Sequence, residues 1–156
     1  MAIPSKLIEF LNQGKVRYTV QHHPEAFTAQ ELAAIEGVKG RNHAKVVMVK
    51  ADADVIMTVL PSDHRLDLEK LDSLTGKRTS LATEADFKAL FPDCAVGTMP
   101  PFGKLYGVAT WVDESLAQDA IIVFEAGTHS DAIRMSYADY ARLAEPKIAG
   151  FAVKLH

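Results

Sequence analysis

Three stretches of the chain combine residue types that can do chemistry. The first is Lys45, inside the run Ala44-Lys45-Val46-Val47-Met48-Val49. Strand alternation puts it on one face with Val47 and Val49. A lysine there either snorkels from a strand end or aims its ammonium into a pocket, where it can stabilise a developing negative charge. Lys50 falls at the end of the run, reads as solvated, and is the natural control. The second stretch is Gly97-Thr98-Met99-Pro100-Pro101-Phe102-Gly103. Its adjacent prolines fix φ and remove two amide donors, while the glycines let backbone approach a ligand closely. Such a loop either presents main-chain amides to a carbonyl or is a plain stiff turn. The third, Gly127-Thr128-His129-Ser130-Asp131, gathers an imidazole, two hydroxyls and a carboxylate. His129 can orient a water or hold a ribose hydroxyl, and the same polar residues can equally bond local backbone.

The remaining candidates are weaker. His22, His23, His43 and His64 form no HExxH, no HxH and no Cys/His cluster, so no zinc site is expected. Ser62-Asp63-His64 contains the residue types of a hydrolytic triad, but triad partners meet in space and the chain has no GxSxG elbow. Cys94 reads as packed rather than nucleophilic. With no GxGxxG and no P-loop, a bound nucleotide cofactor has no support, and no cofactor of any kind is expected.

The elements that must position these residues are short and mixed. Pro4 and Ser5 open a helix with Leu7, Ile8, Phe10 and Leu11 on its apolar face, closed by Gly14. Residues 18–22 alternate as a strand. Thr28-Ala29-Gln30-Glu31 is a capping box for a second helix ending at Gly37. Residues 44–49 and 55–60 form the densest β signal, joined as a hairpin through residues 51–54. Leu66, Leu68, Leu71 and Leu74 space as a short helix ended by Gly76. Thr83 opens another helix, residues 105–112 and 120–125 read as strands, and Ser136 caps a last helix through Leu143. Strand pairs lie close in sequence and do not alternate regularly with helices. That pattern predicts an α+β fold with much antiparallel pairing, not a doubly wound parallel sheet.

Composition narrows the class further. At 156 residues, one domain over 1–156 is expected. A single cysteine rules out an internal disulfide framework and fits a reducing compartment such as the cytoplasm. No apolar run approaches the ~20 residues of a bilayer span. A net charge of -3 argues against a DNA coat protein or a polybasic membrane binder.

Taken in order along the chain, these stretches resemble the YbaK/prolyl-tRNA synthetase-associated domain family of trans-editing aminoacyl-tRNA deacylases. His23-Pro24 followed by Thr28-Ala29-Gln30-Glu31-Leu32-Ala33 is similar to the family's N-terminal helix region. The run from Ala44 to Val49 looks like the strand that bears its functional lysine. Leu66-Asp67-Leu68-Glu69-Lys70-Leu71 resembles its LDLxKL helix, Gly97 to Pro101 its GxxxP loop, and Ala126-Gly127 through Ile133 its glycine turn and following strand. The resemblance implies a mixed, mostly antiparallel sheet curled into a barrel-like core with surrounding helices. It also implies a metal-independent hydrolase that frees tRNA of a wrongly attached small amino acid of the Ala, Ser or Cys class. Carried over by position, Lys45 contacts the aminoacyl ester or the terminal adenosine, and Gly97 presents backbone near the scissile carbonyl. Thr98, Met99, Pro100 and Pro101 line the substrate site with Gly127, His129 and Ser130. The residue after the lysine, often polar in the family, is Val46 here, and alternation turns it to the opposite face.

The implied partner is the acceptor end of an aminoacyl-tRNA, with an aminoacyl-tRNA synthetase as a second partner and neither DNA nor membrane. Lys39, Arg41, Lys77, Arg78 and Lys104 can cluster to meet phosphates, or the domain reads little beyond the acceptor end. The length then corresponds to one editing domain with no appended tRNA-binding module. The alternative from another class is a non-catalytic module of the same fold that binds an aminoacyl or nucleotide moiety without turnover.

Overall fold

The computed structural model describes residues 2–24 and 42–155. The helix expected from Thr28, and the cations Lys39 and Arg41, lie outside the described residues. Helix α1 (Ser5–Gln13) follows Pro4 and buries Leu7 and Leu11, four residues apart on one face. Strand β1 is Tyr18–His22. Strands β2 (Ala44–Ala51) and β3 (Asp54–Pro61) form the expected hairpin, with Ala51 paired to Asp54 and Ala44 to Pro61. Its two-residue turn places Asp52 at φ 52°, a left-handed conformation that aspartate tolerates better than most residues.

The next helix begins later than the leucine spacing suggests. Leu66 belongs to strand β4 (His64–Leu66), paired with Ala152, and helix α2 spans Leu68–Thr75. Asp67 sets that boundary, because its extended backbone and its carboxylate, which accepts the Lys70 amide, make it the N-cap. Strand β5 (Thr79–Leu81) leads to α3 (Glu84–Phe87), opened by a reciprocal capping box between Thr83 and Asp86. The strand expected over 105–112 is much shorter: β6 is Thr110–Asp113. Residues Gly103–Tyr106 make a 3₁₀ turn, and Gly107, at φ 75°, breaks any extension toward the proline loop. Strands β7 (Ile121–Glu125) and β8 (Asp131–Ser136) precede α4 (Tyr137–Ala144), capped by the Ser136 hydroxyl. Strands β9 (Lys147–Ala149) and β10 (Ala152–Lys154) end the fold.

The strands form three sheets, with orders β5-β2-β3-β6-β9, β1-β8-β7 and β10-β4. Among the described residues only β3/β6 and β6/β9 pair as parallel strands, so the fold is α+β with mixed, mostly antiparallel sheets. No closed barrel is found among the described residues. The two larger sheets meet at a parallel bridge between His43 and Val123, where the Val123 amide donates to the Asn42 carbonyl at 3.0 Å.

The main core lies on one side of both larger sheets. Phe102 sits at its centre, with its ring 5.6 Å from Phe10, 5.6 Å from Phe124 and 5.1 Å from Tyr140. Edge-on packing of this kind adds to the burial of the rings themselves. On the other side of β2 and β3 a smaller cluster of Val49, Ala51, Ile56, Leu71 and Phe151 seats α2. Asp113, 2% exposed, closes that side. One of its oxygens accepts the amides of Phe151 and Ala152 at 2.9 and 2.8 Å, and the other accepts from Ser115. Asp113→Ala leaves those amides without an acceptor, at a cost of about 1–3 kcal/mol for each one that stays buried. A loss of about 3 kcal/mol in urea unfolding is expected, against almost no change for an exposed control such as Asp54→Ala.

Candidate active site

The site begins with the two faces of β2. Ala44 and Met48 lie in the main core and Val46 packs against it. Val49 and Ala51 belong to the second cluster and Val47 packs against that one. Lys45 therefore shares the second face, and Val46 is turned away from it, as alternation requires. The Lys45 ammonium donates to the His64 carbonyl, and the Asp63 carboxylate lies close enough to act on its charge. Burial holds the Lys45 pKa below the ordinary lysine value, and Asp63 partly restores it. Asp63 also accepts a hydrogen bond from His64 Nδ1 at 2.6 Å. The residues set aside as a triad thus form the second side of the Lys45 environment, with His64 joined to a carboxylate and a lysine.

The sequence names Asp63 and His64 only as residue types of a discounted triad, although the hairpin register contained the signal that brings them to Lys45. A two-residue turn at 52–53 pairs Lys45 with Leu60, and the reversal after Pro61 brings residue 64 back beside Lys45.

The proline loop and the glycine turn form a second unit. Gly97 is exposed at φ 84° and Gly127 is buried at φ 87°, a region other residues rarely adopt. The Gly127 amide donates to the Thr98 carbonyl at 2.8 Å, and the Ala95 amide donates to the Gly127 carbonyl at 2.9 Å. Thr98, Met99, Pro100 and Pro101 are buried, and the Pro101 carbonyl accepts the Tyr140 hydroxyl at 2.7 Å. At the loop's end the Gly103 amide donates to Thr110 Oγ1, and a Cβ at residue 103 would come within 2.4 Å of that oxygen. Within the turn, Thr128 Oγ1 donates to Asp131 Oδ2 at 2.6 Å and accepts the Ser130 amide, while His22 bonds the other Asp131 oxygen. Ser130 accepts the His23 amide on its carbonyl at 2.9 Å, and His129 is exposed at the tip.

The two units are related through the bridge between the sheets. Beyond His43 the chain runs on to Lys45, and beyond Val123 the neighbouring chain runs in the same direction to Glu125 and Gly127. No hydrogen bond joins Lys45 to either loop among the described residues. Both lie toward the same end of the sheets, but Met99 and Phe102 of the proline loop belong to the main core, on the side of β2 opposite Lys45. Side chains paired across adjacent strands point to the same side, so Lys45's face continues through Val123 and Arg134 to Thr19 and Gln21 on β1.

Beside the proline loop opens an apolar cleft of about 660 Å³, with Phe87, Phe91, Cys94, Val96 and Met99 on its walls. Cys94 contacts the Tyr106 hydroxyl at 3.4 Å, and burial pushes its thiol up to about 11. Among the described residues no group of three or more His, Cys, Asp or Glu side chains could hold a metal ion.

The chain belongs to the aminoacyl-tRNA editing domain family, whose model matches residues 23–143. It is 28% identical over 152 residues to the multifunctional Ser/Thr-tRNA deacylase ProXp-y of Escherichia coli K12, covering 94% of this chain and 90% of that protein. A shorter match, 32% identical over 81 residues, is to a proline–tRNA ligase of Thiobacillus denitrificans, where it spans 14% of the ligase. Among solved structures, a candidate trans-editing enzyme for prolyl-tRNA synthetase superposes with a TM-score of 0.82 at 20% identity, covering 95% of each chain.

Two expectations follow from these environments. The folded chain binds the Lys45 proton less tightly than the unfolded chain, so this residue makes stability rise as pH increases from the folded pKa to the unfolded one. Lys45→Met is expected to flatten that alkaline rise in urea titrations without lowering stability at pH 7. The raised Cys94 pKa predicts alkylation by iodoacetamide at pH 7.5 roughly 100-fold slower in the folded protein than in urea.

Proposed function

We propose that this chain is a trans-acting deacylase that hydrolyses the ester of a mischarged aminoacyl-tRNA carrying a small amino acid of the Ala, Ser or Cys class. What supports the reading is family membership together with a half-buried lysine on β2, in a run that resembles the strand bearing the family's functional lysine. The Ser/Thr specificity in the name of the E. coli relative supports the small, hydroxyl-bearing end of that class and adds threonine to the substrates to test. Synthetase pockets separate such side chains poorly, since one methylene is worth about 1–3 kcal/mol, and a separate editing hydrolase answers that need.

The chemistry asks little of the protein. An aminoacyl ester is already activated, so water adds to the carbonyl carbon, the bond to the ribose oxygen breaks, and that oxygen leaves with a proton. The amino acid departs as a carboxylate. Lys45 supplies positive charge beside the ester, and Asp63 with the His64 carbonyl fixes where that charge sits. Gly97 and the loop through Pro101 offer backbone groups near the carbonyl, held in place beforehand by their bonds to the Gly127 turn. Gly127, Ser130 and His129 border the same space, with exposed His129 at its rim. None of these steps needs a metal or an organic cofactor.

The acceptor end of tRNA is the natural partner for a domain with net charge -3. Lys77 is paired with Asp54 at 3.1 Å and Lys104 lies 3.7 Å from Glu145, so two of the cations suggested for phosphate contact already face acids. A domain that grips few phosphates gains from delivery by a synthetase, and the match to a proline–tRNA ligase supports that kind of partner.

A panel of Ala-, Ser-, Cys- and Thr-charged tRNAs tests the reading. The parent is expected to hydrolyse at least one of them. Lys45→Ala is expected to lose about 100- to 1,000-fold in kcat/KM, while Lys50→Ala stays at the parent rate. Binding of an aminoacyl-adenosine without turnover of any ester would favour the non-catalytic module instead.

A further inference from the structure

Strand β1 and the residue that follows it carry two acceptor atoms shielded from solvent with nothing to accept. Gln21 Oε1 and His23 Nε2 have no hydrogen-bond partner among the described residues, and His23 as a whole is 9% exposed. The His23 ring is fixed: Nδ1 lies 2.7 Å from the Pro24 carbonyl oxygen. A carbonyl can only accept, so Nδ1 carries the proton, and in the neutral ring Nε2 keeps its lone pair. The His23 amide, bonded to the Ser130 carbonyl, extends the β1/β8 ladder one step and holds the residue against the glycine turn. Gln21, two residues earlier, lies on the same face. Tyr18 and Val20 turn to the opposite side and pack on the main core. The two acceptors are therefore on the side of the sheets that Lys45 shares. Buried acceptors left unpaired cost stability, and each calls for an explanation, of which a missing ligand is one.

We propose that Gln21 Oε1 and His23 Nε2 form a two-acceptor subsite that receives the α-amino group of the aminoacyl ester. The proposal rests on the deacylase reading and adds a substrate class to it. The shared chemistry is a hydrogen-bond donor, and the substrate has two kinds near its ester: the α-amine and a ribose hydroxyl. A hydroxyl has one proton to give. The amine has two N–H bonds when neutral and three when charged, so it alone satisfies both acceptors together. The consequence is selectivity against N-acylated esters. A peptidyl or N-acetyl group leaves a single N–H and adds bulk, so the subsite confines hydrolysis to tRNA bearing a free amino acid and spares a growing peptide.

The test compares seryl-tRNA with N-acetylseryl-tRNA, using the full chain and the variants His23→Asn, Gln21→Leu and their double. Asparagine keeps a donor toward the Pro24 carbonyl and deletes only the Nε2 acceptor, while leucine keeps the bulk of glutamine without its oxygen. The parent is expected to prefer the free amine strongly. Each variant is expected to lose about tenfold in kcat/KM on seryl-tRNA and little on the N-acetyl ester. Melting temperatures are expected to stay level or rise, because an unsatisfied buried acceptor has been removed. Unchanged discrimination in the double variant overturns the proposal. So does an equal loss on both esters with a lowered melting temperature, which marks a structural role.

A third ester on a terminal 2′-deoxyadenosine separates the two donors. If the variants lose their sensitivity to the 2′-hydroxyl instead of to acetylation, the donor is the ribose and the amine assignment is overturned. If the parent hydrolyses no ester, the deacylase reading fails by itself. Calorimetry with the seryl amide of 3′-amino-3′-deoxyadenosine then decides the subsite: parent binding that weakens in the variants supports it, and no parent binding, or binding equal in the variants, overturns it.

Discussion

One bridge holds the candidate site together. Where the Val123 amide meets the Asn42 carbonyl, a five-stranded and a three-stranded sheet become neighbours. That contact, together with the shared core, fixes how the strand bearing Lys45 and the strand leading to the glycine turn lie side by side. With it, two chains leave the seam in the same direction, one toward the lysine and the other toward Gly127. The placement of Lys45 depends on this register, because a one-residue slip would turn it into the main core and Val46 out of it. The full burial of Ile122 and Phe124 on β7 and of Ile133 on β8 anchors the register from the apolar side.

The lysine itself is a compromise between solvation and reach. Half-burial disfavours its charge, while a carboxylate and a carbonyl from a single reversal after β3 favour it. The same carboxylate holds His64 by its imidazole, so the ammonium, the acid and the ring form one small network. Networks of this kind limit the positions a flexible side chain can take. For a long, unbranched lysine, that restriction matters as much as the charge.

Much of this was legible in the amino-acid sequence where the physics is local. The hairpin around Asp52, the Thr83 capping box, the Ser136 cap and the face of Lys45 all follow from spacing within a few residues. Strands β4, β5, β9 and β10 have three residues each, too few for alternation to register. The run over 105–112 was read as too long a strand because its β-prone residues hide the effect of Gly107, whose left-handed backbone ends the extension. The seam at His43 was not legible, since it joins segments through contacts no local period encodes. The strand expected over residues 18–22 ends at His22, as observed. What the sequence could not reveal is that the His22 ring meets Asp131 in the open while the His23 ring is buried.

The bonds that zip residues 95 and 98 to Gly127 have a consequence for how such a protein can change. A loop tied at both carbonyl and amide to its neighbour cannot be exchanged by itself. Replacing one half would strand the other half's backbone groups. Sequence change here is therefore expected to come as single side-chain swaps on a constant frame rather than as insertions or deletions. Two glycines with left-handed backbones make that frame hard to vary, while the side chains around it are freer to change.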